Sequence, residues 1–339
     1  MGGLPTKTTH PDWQLIANSI KNLPQCWIRE SMHFHELCWE PNKFTNWDRL
    51  EAVLKLCIQS QKKLMLVVVP CPHPTSEPWN RRVGGPWSWW WRPDFRIWEP
   101  IKETLQMAID KVSLRWFQLG GTKSSLVYEW FNEPATGHVA GGDPSKEPKG
   151  LWSPQFHSFC NYLLVDNGGI NWHQHKVVGP TLSMFGQAEP EKIELASAPG
   201  GDDGYWWTAM HRRCVNLGIY LNTPVQSPEE AASAYRKQLE VIMAKMAKLD
   251  LPVPKSPLRV HEWYVTKPML GYHNGACSDT LRSECIESIG EVIKSYKNIE
   301  AAYFFAHHYT GGDQKSLYEQ HSAFSGPARA GMVKFLREP

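Results

Sequence analysis

Lys63 to Pro70 reads KLMLVVVP, an unbroken apolar run of strand length that stops at a proline. A strand apolar at every position is buried on both faces, and such strands sit inside parallel sheets whose faces are covered by helices. The flanking sequence supplies the helices. Trp47, Leu50, Leu54 and Cys57 recur at helical spacing before the run, and Ile101, Leu105, Ala108 and Val112 do so after it.

The same alternation extends in both directions. Toward the N-terminus, a helix marked by Trp13, Ile16, Ile20 and Leu23 precedes the strand CWIRESMHF (Cys26 to Phe34). Toward the C-terminus comes the strand SLVYEWFNEP (Ser125 to Pro134), then a helix with Phe156, Phe159 and Leu163 before HKVVGPTLS (His175 to Ser183). A weaker helix over 208–216 precedes GIYLNTP (Gly218 to Pro224). A long one over 229–249, with Tyr235, Leu239, Ile242, Met246 and Leu249 on one face, precedes PLRVHEWYV (Pro257 to Val265). Cys285, Ile289, Val292 and Tyr296 mark the helix before AAYFFAHHY (Ala301 to Tyr309). These stripes are core faces.

Seven strands alternating with helices, plus an eighth over Leu4 to Thr9, predict a (β/α)8 TIM barrel with its first strand near the N-terminus. No Gly-x-Gly-x-x-Gly or P-loop follows any strand, which removes the usual mark of an open nucleotide-binding sheet. With no repeat and no low-complexity linker, residues 1–339 read as a single catalytic domain. Its long loops follow strands three and four: CPHPTSEPWNRRVGGPWSWWWRPDF (Cys71 to Phe95) and ATGHVAGGDPSKEPKG (Ala135 to Gly150). Loops after barrel strands are where such folds keep their function.

Bulk composition narrows the partners. A formal charge of +2 and the lack of a polybasic run offer nothing to nucleic acid, and no apolar stretch is long enough to span a membrane. The start, MGGLPTKTTHPDW, has no apolar signal core, and the eight cysteines form no Cys-x-x-Cys pair, so a cytoplasmic location with reduced core thiols is expected. A mature secreted form stays open, and oligomeric state is unreadable.

Two carboxylates stand at strand ends. Glu133 precedes Pro134, and alternation gives it the face of Glu129 and Phe131; Glu262 lies near the end of its strand, with Leu258 and Val260 on its face. Two such groups across a cleft can divide the cleavage of a glycosidic bond, one giving a proton to the leaving oxygen and the other attacking the anomeric carbon. Glu129, deeper in its strand, is expected to form a buried ion pair. Arg29 is either its structural partner or a cation that holds the nucleophile ionised. Asn132 offers an amide to a sugar hydroxyl. His73 may be read as a sugar contact or a loop residue, and the Trp-rich loop, Trp89 included, as a sugar-binding wall or a hydrophobic plug; Trp263 carries the same two readings.

Trp130 to Pro134 as Trp-x-Asn-Glu-Pro, the strand-seven Glu in HEWY, Arg29 on strand two and an aromatic strand eight together resemble clan A of the retaining glycoside hydrolases, families 39 and 5 in particular. The resemblance implies Glu133 as general acid/base, Glu262 as nucleophile, Asn132 as the contact to the 2-hydroxyl and Arg29 as support for the nucleophile. It implies no cofactor and no metal, and an oligosaccharide, polysaccharide or glycoside substrate. Two departures stand out. Strand six lacks the family's His-x-Tyr, leaving its role to Tyr220 or Asn222, and His307 and His308 stand where strand eight often ends in a Trp.

Two alternatives accompany this reading. His33 and His35 form a His-x-His pair suited to a metal-dependent barrel hydrolase, with His307, His308 and Asp313 as loose further ligands. A non-catalytic carbohydrate-binding barrel would keep the Trp wall and leave the carboxylates idle.

Overall fold

A computed structural model of the chain describes residues 7–33, 38–40, 43–44, 47–69, 98–130, 162–163, 169–178, 181–185, 215–220, 225–248, 258–263, 265, 279–304 and 333. The helices there are α1 (Trp13–Lys21), α2 (Trp47–Gln59), α3 (Trp98–Gln118), α4 (Pro228–Lys248) and α5 (Asp279–Ser295). The strands are β1 (Trp27–His33), β2 (Cys38–Glu40), β3 (Lys43–Phe44), β4 (Lys63–Val69), β5 (Leu126–Trp130), β6 (Lys176–Val178), β7 (Thr181–Phe185), β8 (Val215–Tyr220), β9 (Leu258–Trp263) and β10 (Ile299–Phe304). Among the described residues no helix is long and apolar enough to cross a membrane.

β1, β4, β5 and β6 are parallel neighbours in that order, and β7, β8, β9 and β10 form a second parallel series. β6 ends at Val178 and β7 begins at Thr181, so one run of chain closes the first series and opens the second. The strands therefore follow chain order around a barrel, as KLMLVVVP and its neighbours predict. The expected first strand is corrected in part: Lys7 to Thr9 lie in turns and bends, and Leu4 to Thr6 fall outside the described residues. Pro5 and Pro11 flank a segment too short in apolar residues to bury a strand. Of the weaker helix expected over 208–216, Val215 and Asn216 belong to β8 and the rest lies outside the described residues. The short antiparallel pair β2–β3, just after β1, had no signal in the sequence.

Local chemistry sets how α3 hands over to β5. Gly120 takes φ +91, a left-handed conformation open to glycine, and the Gly121 amide donates to Trp116 O at 2.9 Å to end the helix. A Cβ on Gly121 would run into the Trp116 indole, whose Nε1 donates to Thr122 O at 3.0 Å. Thr122 and Ser125 then cap a single 3-10 turn, Lys123–Ser125, and β5 starts at Leu126. The connection leaves no slack, so it fixes how far up the barrel the residues of β5 stand.

Two layers of side chains follow from strand alternation. Leu64, Leu66 and Val68 of β4 are fully buried on the helix side, where α2 brings Leu50, Val53, Leu54 and Cys57. A buried ion pair, Arg49 Nη2 to Glu30 Oε1 at 2.6 Å, ties α2 to β1 in that layer. The inner layer holds Met65, Val127, Val178 and Tyr303, with Trp27 and Ala301 packed against them. Trp27 is on β1 and Ala301 and Tyr303 on β10, so both ends of the strand series face one interior. Near the N-terminal ends of the strands, Glu300 accepts from Lys176 Nζ at 2.8 Å and from Arg259 Nε at 2.9 Å. This cluster forms the floor.

Candidate active site

Register decides which carboxylates share the interior. Arg29 pairs with Met65 and Met65 with Val127, so Arg29, Met65 and Val127 form one row; Ser31, Val67, Glu129 and Val178 form the next row on the same face. Arg29 and Glu129 thus both point into the barrel from strands that are not adjacent. They meet there. Arg29 Nε donates to Glu129 Oε2 at 2.6 Å and Nη2 donates to Oε1 at 2.8 Å, with the two side chains 7% and 0% exposed.

This bidentate geometry suits two planar groups, and it explains how two charges can persist away from water. Desolvation of either ion by itself would cost several kcal/mol, on the order of the whole stability margin of a domain. Paired, the cost is largely offset. Glu129 is therefore the structural glutamate of its strand, as expected, and Arg29 is its partner.

The described part of β5 ends one residue after Glu129. Asn132 and Glu133 lie outside the described residues, as do His73, Trp89, Asn222 and His307. For Tyr220 and Glu262 the structure gives strand positions, the last of β8 and the fifth of β9.

The position of Glu262 differs from simple alternation. Leu217 pairs with Val260, and the next residue, Gly218, pairs with Glu262, so β9 carries one extra residue, His261, against β8. Such a bulge reverses the alternation beyond it. Before the bulge, Arg259 is in register with Ala301 of the inner layer, whereas Leu258 and Val260 belong to the large helix-side core. Unbroken alternation would have put position 262 in the row of Leu258 and Val260. The bulge instead brings position 262 into register with Gly218.

Trp263 is fully buried among the residues of the large core cluster. Its neighbour in register is Phe304. Of the His-x-His pair, His33 ends β1 in register with Val69, and His35, His308 and Asp313 lie outside the described residues. Among the described residues no group of three or more His, Cys, Asp or Glu is placed to hold a metal ion. Cys26, Cys57 and Cys285 take part in no disulfide.

The sequence reading missed the floor cluster Lys176–Glu300–Arg259 and the inward placement of Tyr303. The signal for Tyr303 was present as the aromatic run in AAYFFAHHY, but an aromatic run gives no parity by itself.

No family model matches the sequence, and no curated protein matches it. Solved structures do. A GH5_18 protein from Bifidobacterium longum subsp. longum, in complex with Manb1-4GlcNAc, superposes with a TM-score of 0.64 at 12% identity, over 98% of this chain and 77% of that one. The chain shares its fold. A second GH5_18 protein in complex with Manb1-4GlcNAc, from Streptomyces cattleya, gives a TM-score of 0.63 at 11% identity over 99% and 79% of the two chains. A family 39 glycoside hydrolase from the gut symbiont Bacteroides cellulosilyticus gives 0.55 at 13% identity over 94% and 60%. The fold common to families 5 and 39 of the glycoside hydrolases is thus the fold of this chain, in agreement with the resemblance carried by its short motifs.

Proposed function

We propose that the chain is a retaining glycoside hydrolase acting by double displacement, with Glu133 as general acid/base and Glu262 as nucleophile. The observation that supports this reading is the bulge at His261, which pairs position 262 with Gly218 near the C-terminal end of its strand. On β5, Glu129 already faces inward, and two further pleats of the same strand would bring Glu133 to the rim of the same interior. Glu129 is occupied by Arg29. That leaves Glu133 and Glu262 as the strand-end pair for the two roles that glycosidic cleavage requires.

In this reading Glu133 protonates the leaving oxygen while Glu262 attacks the anomeric carbon, and Glu133 then takes a proton from the water that releases the sugar. Asn132 contacts the 2-hydroxyl. His73, Trp89, Tyr220, Asn222 and His307 line the sugar site, with the long loops of a single 1–339 domain forming its walls. Arg29 contributes through Glu129, by fixing β5 against β1. The substrate is a glycoside, oligosaccharide or polysaccharide, and no cofactor is needed.

The test is chemical rescue. A Glu262→Ala variant should lose hydrolysis of activated aryl glycosides and recover it in azide with an inverted glycosyl azide product, and Glu133→Ala should give the retained azide. Full hydrolytic activity in both variants without azide would refute the assignment.

A further inference from the structure

Helix α3 carries two apolar lines. The first, Leu105, Ile109, Val112 and Trp116, is buried in the large core cluster. The second lies half a turn around the helix, where Met107, Leu114 and Phe117 are 40%, 60% and 36% exposed. Among the described residues four large hydrophobic side chains stand exposed, and these are three of them; the fourth, Leu15, is on α1. Apolar residues scattered singly over a surface are ordinary, whereas three gathered on one line of one helix mark a contact face.

Their spacing is that of a helix-pairing seam. Positions 107, 114 and 117 fall seven and three apart, as the knobs of one helix do when it packs along another. The polar residue inside the line does not break it. Asp110 Oδ1 accepts from Gln106 Nε2 at 2.6 Å and lies 2.7 Å from His173 Nε2, so its charge is met within the chain.

The two ends of the line carry opposite charge. Glu103, one turn before Met107, is exposed and acidic. Lys123, also exposed, borders the other end: its carbonyl oxygen lies 3.3 Å from Nδ1 of His175, the ring stacked on Phe117. A line that is acidic at one end, apolar in the middle and basic at the other is complementary to itself turned end for end. Laid parallel, two copies would set Glu103 against Glu103 and Lys123 against Lys123.

We propose that the outer face of α3 is the interface of a homodimer, in which two copies of the chain pair their α3 helices antiparallel about a twofold axis. Met107 packs on Phe117 of the second copy, Leu114 lies beside the axis, and Glu103 meets Lys123 of the second copy at each end. One helix pair is at the small end of specific interfaces, about 1,000 Å² in total, so the dimer forms at micromolar rather than nanomolar concentration.

The test is sedimentation velocity of the full chain over a concentration series, on the parent, Leu114→Glu, Glu103→Lys, Lys123→Glu and the double reversal. The parent should pass from one chain to two as concentration rises. Leu114→Glu should raise the dissociation constant by more than about tenfold, because a charge placed in a symmetric seam enters it twice. Each single reversal should weaken pairing by roughly tenfold, and the double reversal should recover it. Tm, read at a dilution where single chains predominate, should stay near the parent's in all four variants, since these side chains are exposed in the single chain. A parent that remains one chain at its highest soluble concentration would overturn the proposal. A dimer that Leu114→Glu and both single reversals leave intact would overturn it too, as would single reversals whose loss the double reversal does not recover.

Discussion

Among the described residues the barrel interior holds two ionic clusters, and they are built on opposite terms. Arg29–Glu129 is dry, with both side chains under a tenth exposed and both carboxylate oxygens engaged by one guanidinium. Lys176–Glu300–Arg259, at the floor, is wet on two sides: Lys176 is 42% and Glu300 36% exposed, and the buried Arg259 is the anchor. A dry pair adds little net stability over an apolar filling but penalises any broken version heavily, so it specifies geometry. A wet cluster adds a little, tolerates change and responds to salt. The specifying pair belongs to β5, the strand whose sequence leads into Asn-Glu-Pro, and the tolerant one sits at the far end.

Breaking the upper pair should have the largest effect on stability. Glu129→Ala leaves a buried guanidinium uncompensated and should cost about 3–5 kcal/mol, read as a lower urea midpoint at unchanged slope. Replacing both partners, Arg29→Met with Glu129→Leu, should restore most of that loss, since an apolar pair of similar volume has no desolvation cost. A double variant as unstable as Glu129→Ala would show that packing, not charge, sets the penalty.

The floor should respond more weakly. Glu300→Gln should cost about 1 kcal/mol or less, and 0.5 M salt should shrink the difference, whereas salt should leave the Glu129→Ala penalty nearly unchanged. Glu300 also gives the floor an acid signature. Partial burial opposes its ionisation, but hydrogen bonds from Arg259 and Lys176 outweigh that and hold its pKa at about 2, below the ordinary 4.5. A depressed carboxyl stabilises the fold above its ordinary pKa and loses that contribution as pH falls from 4.5 toward about 2. Unfolding of Glu300→Gln followed by pH titration should therefore be flatter than the parent's across that window.

The smallest effect lies outside the interior. His175 is 5% exposed, stacked on Phe117 at 5.2 Å, with Nδ1 3.3 Å from Lys123 O. Burial pushes its pKa below the ordinary 6.5, so the neutral ring is favoured in the fold, and stability falls as pH drops below 6.5. His175→Phe should remove that slope, in a range where the floor cluster contributes none.

Much of this architecture was legible because a barrel is periodic. KLMLVVVP, doubly apolar, could only be an inner parallel strand, and the helical stripes at Trp47 to Cys57 and Tyr235 to Met246 became α2 and α4. Glu129 was legible as structural because a carboxylate deep in a buried strand needs a partner, and Arg29 is that partner. What stayed hidden depends on events with no period. The bulge at His261 leaves no mark in PLRVHEWYV, so alternation alone assigned Glu262 the row of Leu258 and Val260. The floor joins residues 124 apart in sequence, Lys176 and Glu300, a pairing that no local pattern announces.

The proposed division of labour among Glu129, Glu133 and Glu262 can be tested by one parallel measurement of activity and Tm on Glu129→Gln, Glu133→Gln and Glu262→Gln. Glu129→Gln should lower Tm, whereas Glu133→Gln and Glu262→Gln should keep the parent's Tm within a few degrees and lose aryl glycoside hydrolysis. Retained hydrolysis in both Glu133→Gln and Glu262→Gln would contradict it.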